Sequence, residues 1–332
     1  MNAPRVSVAI ALHNEAEVFP ELLERLQAVL DKVDGGPHEV VFVDDGSTDE
    51  TFALMVEAAA VDARVVGVRL SRNFGHQAAL TAALETVTGD VVIAMDGDLQ
   101  DRPEEIPRFL AEYEKGYDVV YAQRTHRKEA APLRAAYYTF YRLMRRLSEV
   151  DVPVDSGDFA LLSRRVVDLI NQLPERNRYL RGLRTWVGFP QIGVPVERDA
   201  RAGGHPSYTL ASLFRLAFDG LFAFSVKPLR AAWLFGAFVS ALAGAYALYT
   251  IFERIFLGDA PQGFTALIVA ITFFAGVQLL FLGLIGEYLG RVYDEAKGRP
   301  NFVVTEVVKG SGAVDTDYDS VPPSLEPLKT GD

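Results

Sequence analysis

Short apolar runs and longer amphipathic stretches alternate through the first part of the chain. The runs are Val6–Ala11, Val40–Val43, Val65–Leu70, Val91–Met95 and Asp118–Ala122, and each predicts a buried strand. Between them, residues 17–33, 48–60, 75–86 and 103–115 space their apolar positions as helices do, the last with Pro103 near its first turn. This alternation predicts an α/β fold with a mostly parallel sheet covered on both faces. Ligands in such sheets bind beyond the carboxyl ends of the strands, so the residues just after each strand are the first candidates for chemistry.

The pattern then changes. Leu133–Leu147 mixes Arg134, Arg142, Arg145 and Arg146 with Leu, Tyr, Phe and Met. It reads either as a surface helix on the globular core or as a helix lying on anionic head groups. Thr209–Val226 is a second amphipathic segment. Two charge-free runs follow, Ala231–Phe252 and Ala260–Gly286. Each exceeds the roughly 18–20 residues needed to cross a bilayer core, which predicts a transmembrane hairpin with spans at 231–252 and 264–289. Lys227 and Arg230 precede it and Arg291, Lys297 and Arg299 come after it, while the connecting loop holds only Arg254 as a cation. The positive-inside rule therefore expects both ends, and the N-terminal domain, on the cytoplasmic face of the inner membrane. The expected organisation is an α/β domain at 1–208, a juxtamembrane segment at 209–230, the hairpin at 231–289 and a cytoplasmic tail at 290–332. The polar, acidic stretch beyond 305 is expected to be disordered.

Composition narrows the chemistry. The chain of 332 residues has no cysteine, which excludes disulfides, thiolate nucleophiles and Cys-based metal sites, and five histidines make a zinc site a poor expectation. A net charge of −11 argues against a nucleic-acid partner. No basic segment followed by a long apolar one opens the chain, so no cleavable signal peptide is expected. Neither a Gly-x-x-x-x-Gly-Lys loop nor a Gly-x-Gly-x-x-Gly turn succeeds the first strand, which disfavours P-loop and nicotinamide chemistry.

Two acidic clusters do stand at strand ends: Asp44-Asp45-Gly46-Ser47-Thr48-Asp49 and Asp96-Gly97-Asp98-Leu99-Gln100-Asp101. Helix capping by Ser47 or Thr48 explains one residue of the first cluster. It does not explain adjacent aspartates after a buried strand, where carboxylates need a cation or hydrogen-bond donors. In the second cluster, Asp96 and Asp98 can converge on one hard cation, with Gln100 adding a carbonyl oxygen. Mg2+ and Mn2+ prefer such oxygens and bridge to diphosphates. A solvated turn is the plain alternative for this motif taken alone.

With His13-Asn14-Glu15, these clusters make the N-terminal domain resemble the family 2 glycosyltransferases with the GT-A fold, a Rossmann-like α/β domain. Ser71–Gln77, Asp155–Phe159 and Phe224–Arg230 make it similar to the polyprenyl-phosphate branch, which includes dolichyl-phosphate mannose synthases and bacterial undecaprenyl-phosphate glucosyltransferases. The resemblance covers roughly residues 5 to 300. It implies an inverting, metal-dependent hexosyl transfer from a nucleotide-sugar donor, best matched by UDP-glucose, to a polyprenyl phosphate in the membrane. It implies Ala11, His13, Glu15, Asp44, Asp45 and Asp96 around the nucleotide, and Asp96, Asp98 and Gln100 around Mg2+ or Mn2+. Asp158 would be the catalytic carboxylate. Arg124, Arg127, Arg134, Arg201 and Ser207 would face the acceptor phosphate. Relatives include tetramers, so a homo-oligomer is implied too. Ala11 and His13 stand where the family often has Pro and Tyr, and Ser207 where it often has Lys.

The acceptor sets the mechanism. A phosphate monoester with a second pKa of about 6 is already largely a dianion at neutral pH. Asp158 therefore need not remove a proton, and is expected to orient the phosphate or sugar, or to act as base only for residual monoanion. Two other readings compete. A processive polysaccharide synthase would carry more spans and a Gln-x-x-Arg-Trp motif, which Leu183-Arg184-Thr185-Trp186 is not. A non-catalytic sugar-nucleotide-binding scaffold would not need Asp96, Asp98 and Asp158 together.

Overall fold

The computed structural model describes residues 3–124, 153, 156–176, 178–197, 227–256, 263–310 and 313–315. Its first compact unit is built on a nine-stranded sheet. The strands are β1 (Val6–Leu12), β2 (Glu39–Asp44), β3 (Val65–Leu70), β4 (Val91–Asp96), β5 (Val119–Arg124), β6 (Ser156–Ser163), β7 (Gln191–Val196), β8 (Val304–Lys309) and β9 (Ala313–Asp315). Their order is β7-β5-β6-β4-β1-β2-β3-β8-β9. Only β6 and β8 run against the rest.

Side chains alternate across β1 in a way that sets the depth of each layer. Val6, Val8, Ile10 and Leu12 face one core, with Phe19, Leu22 and Leu26 of helix α1 (Phe19–Leu30), Met55 of α2 (Thr51–Val61) and Phe109 of α4 (Ile106–Glu114). Ala9 and Ala11 face the other, under Ala79, Leu80, Ala82 and Ala83 of α3 (His76–Thr86). Small residues on both surfaces let α3 approach the sheet closely, since packing distance depends on side-chain volume. The same layer takes in α5 (Arg164–Gln172) and α6 (Leu180–Trp186).

The expected strands and helices are present, with ends shifted by a few residues. The segment at 103–115 begins as a 3-10 turn, Pro103–Glu105, before α4. Within the tail expected to be disordered beyond 305, residues 306–309 are corrected to strand, because β8 pairs antiparallel with β3 from Val66↔Lys309 to Leu70↔Val304; residues 316–332 lie outside the described residues. Its cause is local: Phe302 and Val308 are buried, and Glu306 meets Arg69 at 3.0 Å. An acidic composition averaged over the whole tail hides these few apolar residues.

The second unit holds α7 (Lys227–Phe256) and α8 (Phe264–Ala296). Phe235 and Phe281 bring the two helices into edge-to-face contact at 6.2 Å. Among the described residues, one stretch, Phe273–Ala296, is long and apolar enough to cross a membrane, and Ala232–Tyr246 is apolar but shorter. Large apolar side chains on both helices are exposed, Trp233, Phe238, Leu279 and Leu280 among them. The helices expected at 133–147 and 209–226 lie outside the described residues.

Candidate active site

Three strand ends build the site. In the β1–β4 register Ala11 pairs with Asp96, and in the β1–β2 register Leu12 pairs with Asp44. The carboxylates at the ends of β2 and β4 therefore arrive at the same edge of the sheet. β6 adds a third from the opposite direction. It pairs antiparallel with β4 at Ala94↔Ala160, and continuing that register by two residues brings Asp158 level with Asp96. Gly97, between Asp96 and Asp98, has no room for a side chain, because a Cβ would lie 2.3 Å from Leu12 Cδ2.

The first acidic cluster knits loops together. Asp44 is fully buried; one oxygen accepts the Ser47 N–H at 3.0 Å and the other lies 3.6 Å from Arg69 Nε. Asp45 accepts the N–H groups of Phe74 and Gly75 at 2.7 and 2.9 Å. Burial pushes the Asp45 carboxyl up, and these two amides pull against it. His13 Nδ1 lies 3.0 Å from the Asp45 carbonyl and its Nε2 lies 3.1 Å from Asn73 Nδ2. Asn14 adopts a left-handed φ of 55°, and its side-chain oxygen accepts the Thr48 N–H at 2.8 Å. The Glu15 N–H donates to Thr51 Oγ1 at 3.0 Å. Ala11 is buried, whereas His13 is exposed and Glu15 half-buried, so these last two border the open edge.

The second cluster meets a histidine. His76 opens α3, directly after Gly75 at φ 101°, and its Nε2 lies 3.2 Å from Asp96 Oδ1 and 3.8 Å from Asp158 Oδ2. Burial alone would lower the His76 pKa, but hydrogen bonds and charge from the two carboxylates outweigh it and raise it. Asp158 is buried and is gripped by Arg181, whose Nε and Nη2 each donate to one carboxylate oxygen at 2.7 Å. Burial would raise Asp158; Arg181 and His76 prevail and hold it well below the usual carboxylate range. Arg184, also buried, donates from Nη1 to the Gly157 carbonyl at 3.1 Å and stacks over Tyr121.

Of the expected metal ligands, Asp96 joins a group of possible donor atoms, with His76 and Asp158, that all lie within 4.8 Å of one another. Asp98 is half-buried on the same loop and accepts the N–H of Gln100 at 3.1 Å, around a left-handed Leu99. A donor set dominated by carboxylates and lacking sulfur fits a hard divalent ion such as Mg2+ or Mn2+. Arg124 ends β5 opposite Val196. Arg127, Arg134, Arg201 and Ser207 lie outside the described residues. Sequence reasoning missed His76, Arg181 and Arg184 as site residues. His76 sits in a stretch that carries the family resemblance, but nothing local links it to Asp96. The arginines come after a loop without a motif and reach the site only through the packing of α6.

Residues 7–170 match Glycosyl transferase family 2, and residues 227–292 match the GtrB C-terminal hairpin. An uncharacterised glycosyltransferase of Bacillus subtilis (strain 168) is 40% identical over 299 residues, 90% of this chain and 92% of that one. A bactoprenol glucosyl transferase of Shigella phage SfX is 36% identical over 301 residues, 90% of this chain and 98% of that one. Among solved structures, a mannosyltransferase of Pyrobaculum calidifontis in complex with GDP-Man and Mn2+ is similar with a TM-score of 0.47 and 17% identity, over 89% of this chain and 86% of that one.

Proposed function

The chain belongs to the family 2 glycosyltransferases, and from that premise we propose that it transfers a sugar from a nucleotide diphosphate, UDP-glucose in the first instance, to a polyprenyl phosphate such as undecaprenyl phosphate, with inversion. The observation that carries this reading is the convergence of Asp96 and Asp158 on His76 at the carboxyl ends of the parallel strands, in a chain that also has two long helices with exposed apolar surfaces. The bactoprenol relative supports the lipid acceptor. The exposed faces of α7 and α8 support a two-span membrane hairpin, with the catalytic unit on the cytoplasmic side as the flanking cations expect.

In this reaction the bond from the anomeric carbon to the donor diphosphate breaks, and its electron pair leaves with the nucleoside diphosphate. An oxygen of the lipid phosphate forms the new bond from the opposite face. Asp96 and Asp98 would hold a divalent ion, which would neutralise charge on the departing diphosphate. His13 and Glu15 border the nucleotide, while Asp44 and Asp45 shape its loops. Asp158, ionised and fixed by Arg181, orients the sugar or the acceptor. Alignment of this kind contributes several kcal/mol to catalysis. A donor screen tests the proposal: full-length protein in detergent, undecaprenyl phosphate, Mn2+ or Mg2+, and labelled UDP- and GDP-sugars. Label entering the lipid phase with one donor, and lost in Asp98→Ala, is the expected result. Nucleotide binding without lipid labelling for any donor would favour a different acceptor or the scaffold reading.

A further inference from the structure

Asp158 stands within reach of a metal ion at Asp96, yet its carboxylate is already taken. Arg181 engages both oxygens through a paired, planar fork, the geometry that makes arginine–carboxylate contacts strong and specific. The fork is itself anchored on two sides. The N–H of Leu180, the first residue of α6, donates to Gln77 Oε1 of α3 at 3.0 Å. One turn on, Arg184 donates to the carbonyl of Gly157, the residue before Asp158. Thus α6 is tied to the helix that carries His76 and to the strand that carries Asp158. A guanidinium so placed takes one lone pair on each Asp158 oxygen and repels a divalent cation.

We propose that Arg181 is a positioning residue that keeps Asp158 out of the coordination sphere of the divalent ion at Asp96, reserving that carboxylate for the sugar or acceptor. Without Arg181, Asp96 and Asp158 would present two carboxylates to one ion. The inference deepens the transferase reading and rests on it for the nature of the site.

The test is Mn2+ binding to the full-length protein in detergent, without donor or acceptor, read from the electron paramagnetic resonance of free Mn2+. Arg181→Met should tighten Mn2+ binding by about tenfold or more, the scale on which groups beside metal ligands act. Adding Asp158→Asn to that variant should return the affinity to the wild-type value, and Asp158→Asn alone should leave it within about twofold. A purely structural role for Arg181 predicts lower thermal stability and unchanged or weaker Mn2+ binding. If Arg181→Met does not fold, Arg181→Gln, which loses both the charge and the fork but keeps polar contacts, should still tighten binding. Unchanged or weaker binding in folded Arg181 variants overturns the proposal, as does a tenfold loss in Asp158→Asn alone. Lipid labelling by the wild type with no Mn2+ effect removes this assignment alone. Tightened Mn2+ binding without lipid labelling by any donor removes the acceptor reading alone.

Discussion

The carboxylate of Asp45, at the end of β2, accepts the backbone N–H of Gly75, the residue before α3, at 2.9 Å. Its other oxygen accepts Phe74 N–H at 2.7 Å. The pair fixes where α3 begins, and hence where His76 stands beside Asp96. Asp45→Ala would strand two amide donors in a part-buried loop and should cost roughly 2–3 kcal/mol. Asp45→Asn keeps one acceptor oxygen and should cost about half as much. Thermal unfolding reads the stability. The donor KM should rise in the same order; a KM unchanged in both variants would separate the loop from nucleotide binding.

Chelation gives a second expectation. Treatment with EDTA should abolish lipid labelling, and Mn2+ or Mg2+ should restore it. Asp96→Ala and Asp98→Ala should each lower kcat by about 10²-fold or more, the scale seen when one preorganised electrostatic contact is removed. Full activity in chelator would count against a metal-assisted departure of the diphosphate.

A third concerns pH. Arg181 and His76 hold Asp158 well below the usual carboxylate range, so it remains ionised wherever the enzyme works and is a weak proton acceptor. The loss of kcat in Asp158→Asn should therefore be the same at low and high pH. A variant that recovers as the pH rises, when the lipid phosphate is wholly dianionic, would instead identify Asp158 as the base for residual monoanion.

Stability carries its own pH signature, away from the chemistry. Glu85 of α3 lies 3.6 Å from Arg178, both buried, and burial pushes it from 4.5 up to about 7 despite the arginine. A carboxyl with a raised folded-state pKa binds its proton more tightly when folded, so its contribution is complete below about 4.5 and is lost as pH climbs through about 7. The loss should amount to roughly 3 kcal/mol across that window. Glu85→Gln should flatten this part of the stability profile, measured by denaturant unfolding. A profile still as steep would assign the slope to other groups.

Much of this was legible in the chain because it is local. The strands from β1 to β5 declare themselves as apolar runs, and the acidic clusters stand directly after two of them. β6 does not, since Ser156, Gly157 and Asp158 begin it with polar and small residues, although every position in it is buried. The approach of Asp158 to Asp96 depends on β6 running backwards beside β4, a relation between strands rather than a pattern within one. His76 and Arg181 were hidden for the same reason. Their meeting depends on the close approach of α3 and the docking of α6, neither of which leaves a periodic mark in the sequence. The two long helices were legible from length and polarity alone.

β8 gives the sheet an order of assembly. The strand that covers the edge of β3 comes after both long helices in the chain, so a ribosome releases it only after them. Until then β3 presents a row of unpaired N–H and C=O groups, the kind of edge that invites pairing with other chains. A fragment that stops at the end of β7 would keep every acidic residue of the site and still lack its closing strand. Closure of the β3 edge thus waits on the part of the chain that follows the helices.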